Sequence, residues 1–93
     1  RAAGVTLLNQ SVLLRGVNDD PDTLTALNTA LVRHGVLPYY LHLLDRVQGS
    51  AHFEVPLPAA LALMARLRRR LPGYLVPRLV REEPGAGSKI VLA

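Results

Sequence analysis

The feature that most constrains this sequence is a regular alternation of apolar, strand-like segments with helical segments, joined by short connections. Residues 5–14 read VTLLNQSVLL, which predicts a strand covered on both faces. Two further strands are predicted over residues 37–44 and 74–80, with a helix in each interval. This order predicts parallel strands joined by right-handed crossovers. The expected fold class is therefore α/β, with the order βαβαβ.

Both predicted helices carry local start and stop signals. The first is predicted to begin after Asp20, an N-cap residue followed by proline, and to end at Gly35. The second is predicted to begin at Pro56 and Pro58 and to stop at Pro72–Gly73. The predicted apolar faces are Leu24, Leu27, Ala30 and Leu31 in the first helix and Leu61, Met64, Leu67 and Leu71 in the second.

Three parallel strands with two helices leave one sheet face uncovered and one edge open, so such a segment ordinarily continues into further βα units. The sequence also begins with Arg1 rather than with Met, and it reads as an excerpt from a longer protein. We expect residues 1–93 to form a single unit, the carboxyl-terminal part of a βα barrel, with chemistry at the carboxyl ends of its strands. The open edge predicts a homo-oligomer or an edge-paired assembly.

The composition excludes several classes of protein. With 49% hydrophobic and 19% charged residues, the chain is too apolar for intrinsic disorder. No uncharged stretch reaches the roughly 18 residues of a membrane span, so we expect a soluble protein with no membrane partner. Because cysteine is absent, these residues alone can build neither a disulfide framework nor a thiolate metal or iron–sulfur site.

The formal net charge is +4, and a run of arginines lies near the end of the second predicted helix. This run comprises Arg66, Arg68, Arg69 and Arg70. We interpret it as a solvated collar favoured by the helix dipole. No nucleic-acid partner is expected, since no aromatic residues interleave with the arginines. The alternatives are a basic, non-catalytic module that docks an acidic partner through residues 66–70, and a structural remnant that completes another chain's barrel.

Lysine usage singles out one residue. Of the eleven basic residues, only Lys89 is a lysine. A primary amine can form an imine, whereas arginine cannot. Lys89 follows a loop rich in glycine and proline, which is either a plain surface turn or a loop that presents the amine to a cofactor.

Polar residues in or after the predicted strands are further candidates. Asp45 and Glu82 follow strands and could bind a cation at the barrel mouth; the alternative is a helix cap or a surface ion pair. Gln10 lies within the first strand and predicts either a core hydrogen bond or a ligand contact.

The remaining candidates are histidines and tyrosines. His42 alternates with apolar neighbours and is expected to be hydrogen-bonded in the core or to line a site, rather than to bind a metal. His34 is expected on the surface at a helix end. Tyr39 and Tyr40 are expected to point to opposite faces of their strand, so at most one could line a site.

Three segments together resemble a known family. NQSVLLRGVNDD (residues 9–20), LPYYLHLLDRVQGSAHFEV (37–55) and PGYLVPRLVREEPGAGSK (72–89) are similar to the carboxyl-terminal half of the lysine 2,3-aminomutase family of radical S-adenosylmethionine enzymes. Within it, LLDRVQGSAHF resembles the branch that serves β-lysylation of elongation factor P. The resemblance covers nearly the whole chain and implies part of a partial (β/α) barrel with a cofactor-lysine loop at residues 81–93.

The resemblance also implies residue roles. Lys89 matches the lysine that holds pyridoxal phosphate covalently, and Gln10 matches a position that contacts S-adenosylmethionine. Asp45 and Glu82 match the two acidic positions that bind the distal ammonium of the substrate. The cysteine motif that ligates the [4Fe–4S] cluster in the family lies upstream of the matching region, so no metal ligand is expected in this chain and the isolated chain is expected to be inactive.

The function implied is the conversion of (S)-α-lysine to (R)-β-lysine by radical 1,2-amino migration. The implied cofactors are pyridoxal phosphate, S-adenosylmethionine and the [4Fe–4S] cluster, and L-lysine is the small-molecule substrate. The branch resemblance implies a bacterial, cytoplasmic isomerase whose product modifies elongation factor P.

Overall fold

The computed structural model describes residues 6–44, 51–82 and 89–93. Its strands are β1 (Leu7–Leu13), β2 (Val36–Leu43), β3 (Arg78–Glu82) and β4 (Lys89–Val91), its helices are α1 (Pro21–Arg33) and α2 (Leu57–Arg70), and two 3₁₀ turns span Ala51–Phe53 and Gly73–Leu75. The strands form one sheet in the order β1-β2-β3-β4. The first three are parallel, as predicted, and β4 is antiparallel to β3. The α/β fold class is confirmed.

Local capping determines where α1 begins and ends. Asp20 is the N-cap residue, and its carboxylate accepts hydrogen bonds from the Thr23 backbone N–H (2.8 Å) and hydroxyl (2.6 Å). Pro21 occupies the first turn, where its missing N–H costs nothing. After the exposed C-cap residue His34, Gly35 adopts a positive φ of 78°, which a residue without Cβ adopts without strain. The predicted bounds of this helix and the surface position of His34 are confirmed.

Both helices pack on the same face of the sheet and form the core with it. The buried core cluster consists of Leu13, Leu24, Leu41, Leu43, Val55, Ala60, Leu63, Met64, Leu67 and Leu79. Of the residues predicted on the apolar faces, Leu24, Met64 and Leu67 are buried, and Leu31 and Leu71 are half-buried. The prediction is wrong for Leu27, Ala30 and Leu61, which are exposed. The sequence periodicity identified the buried face of each helix, but the predicted edge of that face lies about one residue away from the observed edge.

The predicted third strand is displaced along the chain. Instead of spanning residues 74–80, β3 covers Arg78–Glu82, and a 3₁₀ turn occupies Gly73–Leu75. The Leu75 N–H donates to the Pro72 carbonyl at 2.9 Å, which closes this turn. Pro77 has no N–H to give to a strand ladder, so regular pairing begins only after it. Glu82 is therefore the last residue of β3 rather than a residue beyond it.

The strand β4 was not predicted. The sequence predicts three strands, yet Lys89–Val91 forms a fourth that pairs antiparallel with β3. Leu79 holds the last residues through its backbone: its N–H donates to the Ala93 carbonyl at 2.9 Å, and its carbonyl accepts from Leu92 at 2.7 Å. The prediction that all strands of the sheet are parallel is therefore wrong at this edge. Neither helix of the described residues is long and apolar enough to cross a membrane.

Candidate functional site

The face of the sheet opposite the two helices carries most of the candidate residues. Side chains alternate between faces along a strand, and Leu41 and Leu79, which are partners in register, lie in the helix-covered core. Their neighbours Tyr40 and His42 therefore lie on the other face. We call this the open face, and its candidate residues are Gln10, Tyr40, His42, Glu82 and Lys89.

On the open face, Gln10 of β1 is hydrogen-bonded to His42 of β2. The Oε1 atom of Gln10 lies 2.9 Å from Nε2 of His42. Parallel pairing brings the two together, because Gln10 is opposite Tyr40 and Val12 is opposite His42. Gln10 is exposed and His42 is partly buried. As expected, His42 is hydrogen-bonded, and the exposed Gln10 is not a core residue.

A β-bulge in β2 changes the tyrosine pair. Asn9 pairs with Pro38 and Gln10 with Tyr40, so Tyr39 is an extra residue in the ladder. The Tyr39 and Tyr40 rings lie only 4.4 Å apart between centroids, so the prediction that they point to opposite faces is wrong. A side-chain hydrogen bond with Tyr39, followed by desolvation, raises the pKa of the Tyr40 phenol above its ordinary value.

Lys89 lies against this tyrosine pair. Its Nζ atom is 5.5 Å from the centroid of the Tyr40 ring, within the range of a cation–π contact. The Tyr40 ring in turn meets the His42 ring edge-on at 6.0 Å. Contacts thus run without a break from Gln10 through His42 and Tyr40 to Lys89. No sequence pattern connects all four residues, although the alternation in LPYYLHLL places Tyr40 and His42 on one face.

Glu82 and Lys89 are partners in the antiparallel register of β3 and β4. Directly opposed residues project to the same face, with Cβ atoms about 4.5–5.5 Å apart. Because Glu82 ends a parallel strand, both residues lie at the carboxyl edge of the sheet, where α/β folds place their sites. A carboxylate and a primary amine therefore share this edge of the open face.

An open pocket of about 360 Å³ borders Glu82. It is lined by Gln10, Val12, His42, Leu43, Leu44 and Glu82. Its volume falls within the range of about 300–1,000 Å³ that is usual for small-molecule sites. Within the described residues it joins Glu82 to the Gln10–His42 pair on one concave surface.

The arginine run lies away from the open face. Arg66, Arg68, Arg69 and Arg70 are exposed in the last turns of α2, as a solvated collar requires. Arg70 makes an ion pair of 2.8 Å with the exposed Asp22 of α1. This exposure is equally compatible with the alternative of an acidic docking partner, which stays untested.

No model of a protein family matches the chain. It is, however, 56% identical to the L-lysine 2,3-aminomutase of Escherichia coli (strain K12) over 99% of this chain and 27% of that protein. The corresponding enzyme of Haemophilus influenzae (strain ATCC 51907 / DSM 11121 / KW20 / Rd) is 51% identical over the same shares. That of Clostridium subterminale is 44% identical over 94% of this chain and 21% of that protein.

The chain belongs to the lysine 2,3-aminomutase family. It spans about a quarter of the length of these relatives and corresponds to their carboxyl-terminal portion. The resemblance inferred from the three sequence segments is therefore confirmed.

Of the residues that the lysine 2,3-aminomutase resemblance singled out, Gln10, Glu82 and Lys89 lie together on the open face. Asp45 and the loop residues 83–88 lie outside the described residues, so their predicted positions stay predictions. Among the described residues no cluster of three metal-ligating side chains occurs. The chain contains no cysteine at all, so the thiolate ligands of an iron–sulfur cluster do not come from these residues.

Proposed function

We propose that this chain forms the carboxyl-terminal part of an L-lysine 2,3-aminomutase that interconverts (S)-α-lysine and (R)-β-lysine. The single observation that carries the proposal is the pairing of Lys89 with Glu82 at the carboxyl edge of the open face. This places the only primary side-chain amine of the chain beside a carboxylate on a surface that neither helix covers. A covalently held carbonyl cofactor and a cationic substrate require those two groups.

Lys89 fits pyridoxal phosphate. The side chain is exposed, and its amine lies 5.5 Å from the Tyr40 ring, so an aromatic surface accompanies the amine that would hold the cofactor. When bound, pyridoxal phosphate supplies a conjugated system through which the substrate nitrogen can migrate. The contribution of this chain is to hold and orient that cofactor at Nζ of Lys89.

Glu82 and Asp45 are proposed to bind the distal ammonium of lysine. A long, flexible substrate must be held at its far end if one hydrogen is to be positioned for abstraction. A hydrogen bond to a charged group contributes about 1.5–3 kcal/mol, so two such contacts suffice to select lysine over amino acids with uncharged side chains. Glu82 lines the open pocket and is the register partner of Lys89, which supports this role.

Gln10 is proposed to contact S-adenosylmethionine. Its side chain is exposed on the open face and lines the pocket, where a carboxamide can donate to an oxygen acceptor. The [4Fe–4S] cluster does not fit these residues, since the chain has no thiolate to offer.

The segment LLDRVQGSAHF supports a physiological assignment within this function. Its resemblance to the β-lysylation branch leads us to propose that the (R)-β-lysine product is attached to elongation factor P in the bacterial cytoplasm. The intact mass of elongation factor P tests this assignment. Deleting the gene for the full-length enzyme should remove the mass of one lysyl group, and added β-lysine should restore it.

The decisive experiment for the main proposal labels Lys89 in the full-length enzyme. Pyridoxal phosphate is added, the linkage is reduced with borohydride, and the digested protein is searched for a pyridoxyl peptide. We expect the label on Lys89, together with a visible absorbance band before reduction. The matched control is Lys89→Arg, which keeps a cation near Tyr40 but cannot form the linkage. A label on a different lysine, or an unchanged band in Lys89→Arg, would refute the proposal.

A further inference from the structure

The hydrogen bond between His42 and Gln10 has a defined direction. A carboxamide oxygen can only accept, so the Nε2 atom of His42, 2.9 Å from Oε1 of Gln10, carries the donated proton. Among the described residues, the N–H groups of the Gln10 amide have no partner, so both can donate to a ligand. Without this bond the amide could rotate by half a turn and present its oxygen instead.

The His42 ring is itself held in place. It meets the Tyr40 ring edge-on at 6.0 Å, and its backbone is paired with β1 and β3 on either side. A donor on a central strand of the sheet is more rigid than one on a loop, so it can fix the orientation of an exposed glutamine on the neighbouring strand. Both side chains line the open pocket.

We propose that His42 is a positioning residue that holds the Gln10 amide with its N–H groups turned towards the ligand. The proposal rests on the function proposed above for Gln10 and deepens it. The ligand must then offer an oxygen acceptor to Gln10, as the carboxylate and the ribose hydroxyls of S-adenosylmethionine do. His42 acts only through Gln10 and needs no contact of its own with that ligand.

Two substitutions separate this role from a merely structural one. His42→Phe keeps a ring against Tyr40 but removes the donor, whereas His42→Gln restores an N–H donor on a side chain of similar reach. Each is made in the full-length, cluster-reconstituted enzyme, alone and combined with Gln10→Ala. The dissociation constant of radiolabelled S-adenosylmethionine is measured by equilibrium dialysis without lysine, and thermal unfolding checks the fold.

We expect His42→Phe to weaken binding about threefold to tenfold, the equivalent of one neutral hydrogen bond, and His42→Gln to remain within about twofold of the parent. In the Gln10→Ala background, His42→Phe should have no further effect, because a residue that acts through Gln10 has nothing left to orient. Unfolding midpoints should be unchanged within a few degrees.

The opposite results overturn the proposal in distinguishable ways. If Gln10→Ala weakens binding but His42→Phe does not, the positioning role fails and the function of Gln10 stands. Equal effects of His42→Phe with and without Gln10 show that His42 acts independently of it. If Gln10→Ala itself leaves binding unchanged, the positioning role fails together with the assignment of Gln10, while the labelling of Lys89 still decides the main proposal.

Discussion

The Nζ atom of Lys89 lies 5.5 Å from the centroid of the Tyr40 ring, so the last strand of the sheet and its second strand meet through these two side chains. Tyr40 is in turn linked to Tyr39 by a bulge that brings both rings to within 4.4 Å. The only lysine of the chain therefore rests on an aromatic surface that is built into a central strand. The Tyr40 ring is therefore one determinant of where the Lys89 amine lies.

We predict that Tyr40→Leu lowers the occupancy of the full-length enzyme by pyridoxal phosphate. An exposed cation–π contact contributes about 0.5–1 kcal/mol, which corresponds to about a two- to fivefold weaker apparent affinity. Titration of the visible absorbance band measures this. Tyr40→Phe is the matched control, because it keeps the ring and should behave like the parent. Equal affinities for all three proteins would show that the ring does not position Lys89.

Neutralising Glu82 should mainly affect lysine binding. We expect Glu82→Gln to raise KM for lysine about tenfold to a hundredfold, with a smaller effect on kcat, since one charge-assisted contact to the substrate is lost. Asp45→Asn should do the same and should raise KM far more than it destabilises the fold. Steady-state kinetics of the full-length enzyme measure both.

The control for these variants is Asp22→Asn. It neutralises an exposed carboxylate on α1 whose partner is Arg70, on the helix side of the sheet, and should leave KM unchanged. If Glu82→Gln and Asp22→Asn behave alike, Glu82 is a surface residue rather than a substrate ligand. Unchanged lysine kinetics in Asp45→Asn would return Asp45 to a capping role.

The structural features that could be predicted from the sequence are those determined by residues close together in the chain. The bounds of α1 were predictable because Asp20, Pro21 and Gly35 act within a few residues of their own positions. The position of β3 could not be predicted, because the apolar residues 74–80 have the pattern of a strand. In the structure, a turn forms at Gly73–Leu75 and Pro77 prevents regular strand pairing before Arg78. The strand β4 has only three residues and exists through its pairing with β3, which no local pattern reveals.

The candidate functional site also combines features that could be predicted from the sequence with features that could not. Chemistry-bearing residues such as Lys89, Gln10 and Glu82 could be singled out by residue type and family resemblance. Their mutual arrangement could not, because it depends on the register between strands. The bulge at Tyr39 is a property of two strands together, so the sequence of one strand wrongly predicted opposed tyrosines.

The N-cap of α1 predicts a pH dependence of stability. The hydrogen bond from the Thr23 hydroxyl, followed by that from its backbone N–H, lowers the pKa of Asp20 below its ordinary value of 3.8. Since the folded pKa is the lower one, the stabilisation is complete above the unfolded pKa and is lost as the pH falls through the folded one. We expect Asp20→Ala to lower the unfolding midpoint at neutral pH, with the difference from the parent narrowing below about pH 4.

Thermal unfolding at a series of pH values checks this. Thr23→Val is the matched variant, because it removes the hydroxyl that lowers the pKa most while leaving the Asp20 carboxylate and the backbone N–H in place. It should show a weaker pH dependence than the parent. A difference between the parent and Asp20→Ala that stays constant down to strongly acidic pH would contradict the role of the ionised cap.

The 93-residue chain on its own has an apolar edge strand that can pair with another chain. In the described sheet β1 is an edge strand, and three of its apolar side chains are substantially exposed: Leu7 by 43%, Leu8 by 49% and Val12 by 42%. An apolar edge with unpaired N–H and C=O groups is a template for pairing with another chain, and a net charge of +4 opposes this only weakly at physiological salt. We therefore expect a dimer or a larger assembly at tens of micromolar, measured by light scattering after size exclusion.

The double variant Leu8→Lys/Val12→Lys places charges on this edge and should shift the chain towards monomer. A parent chain that is a stable, monodisperse monomer under these conditions would show that the β1 edge does not drive association, and it would leave the family assignment untouched.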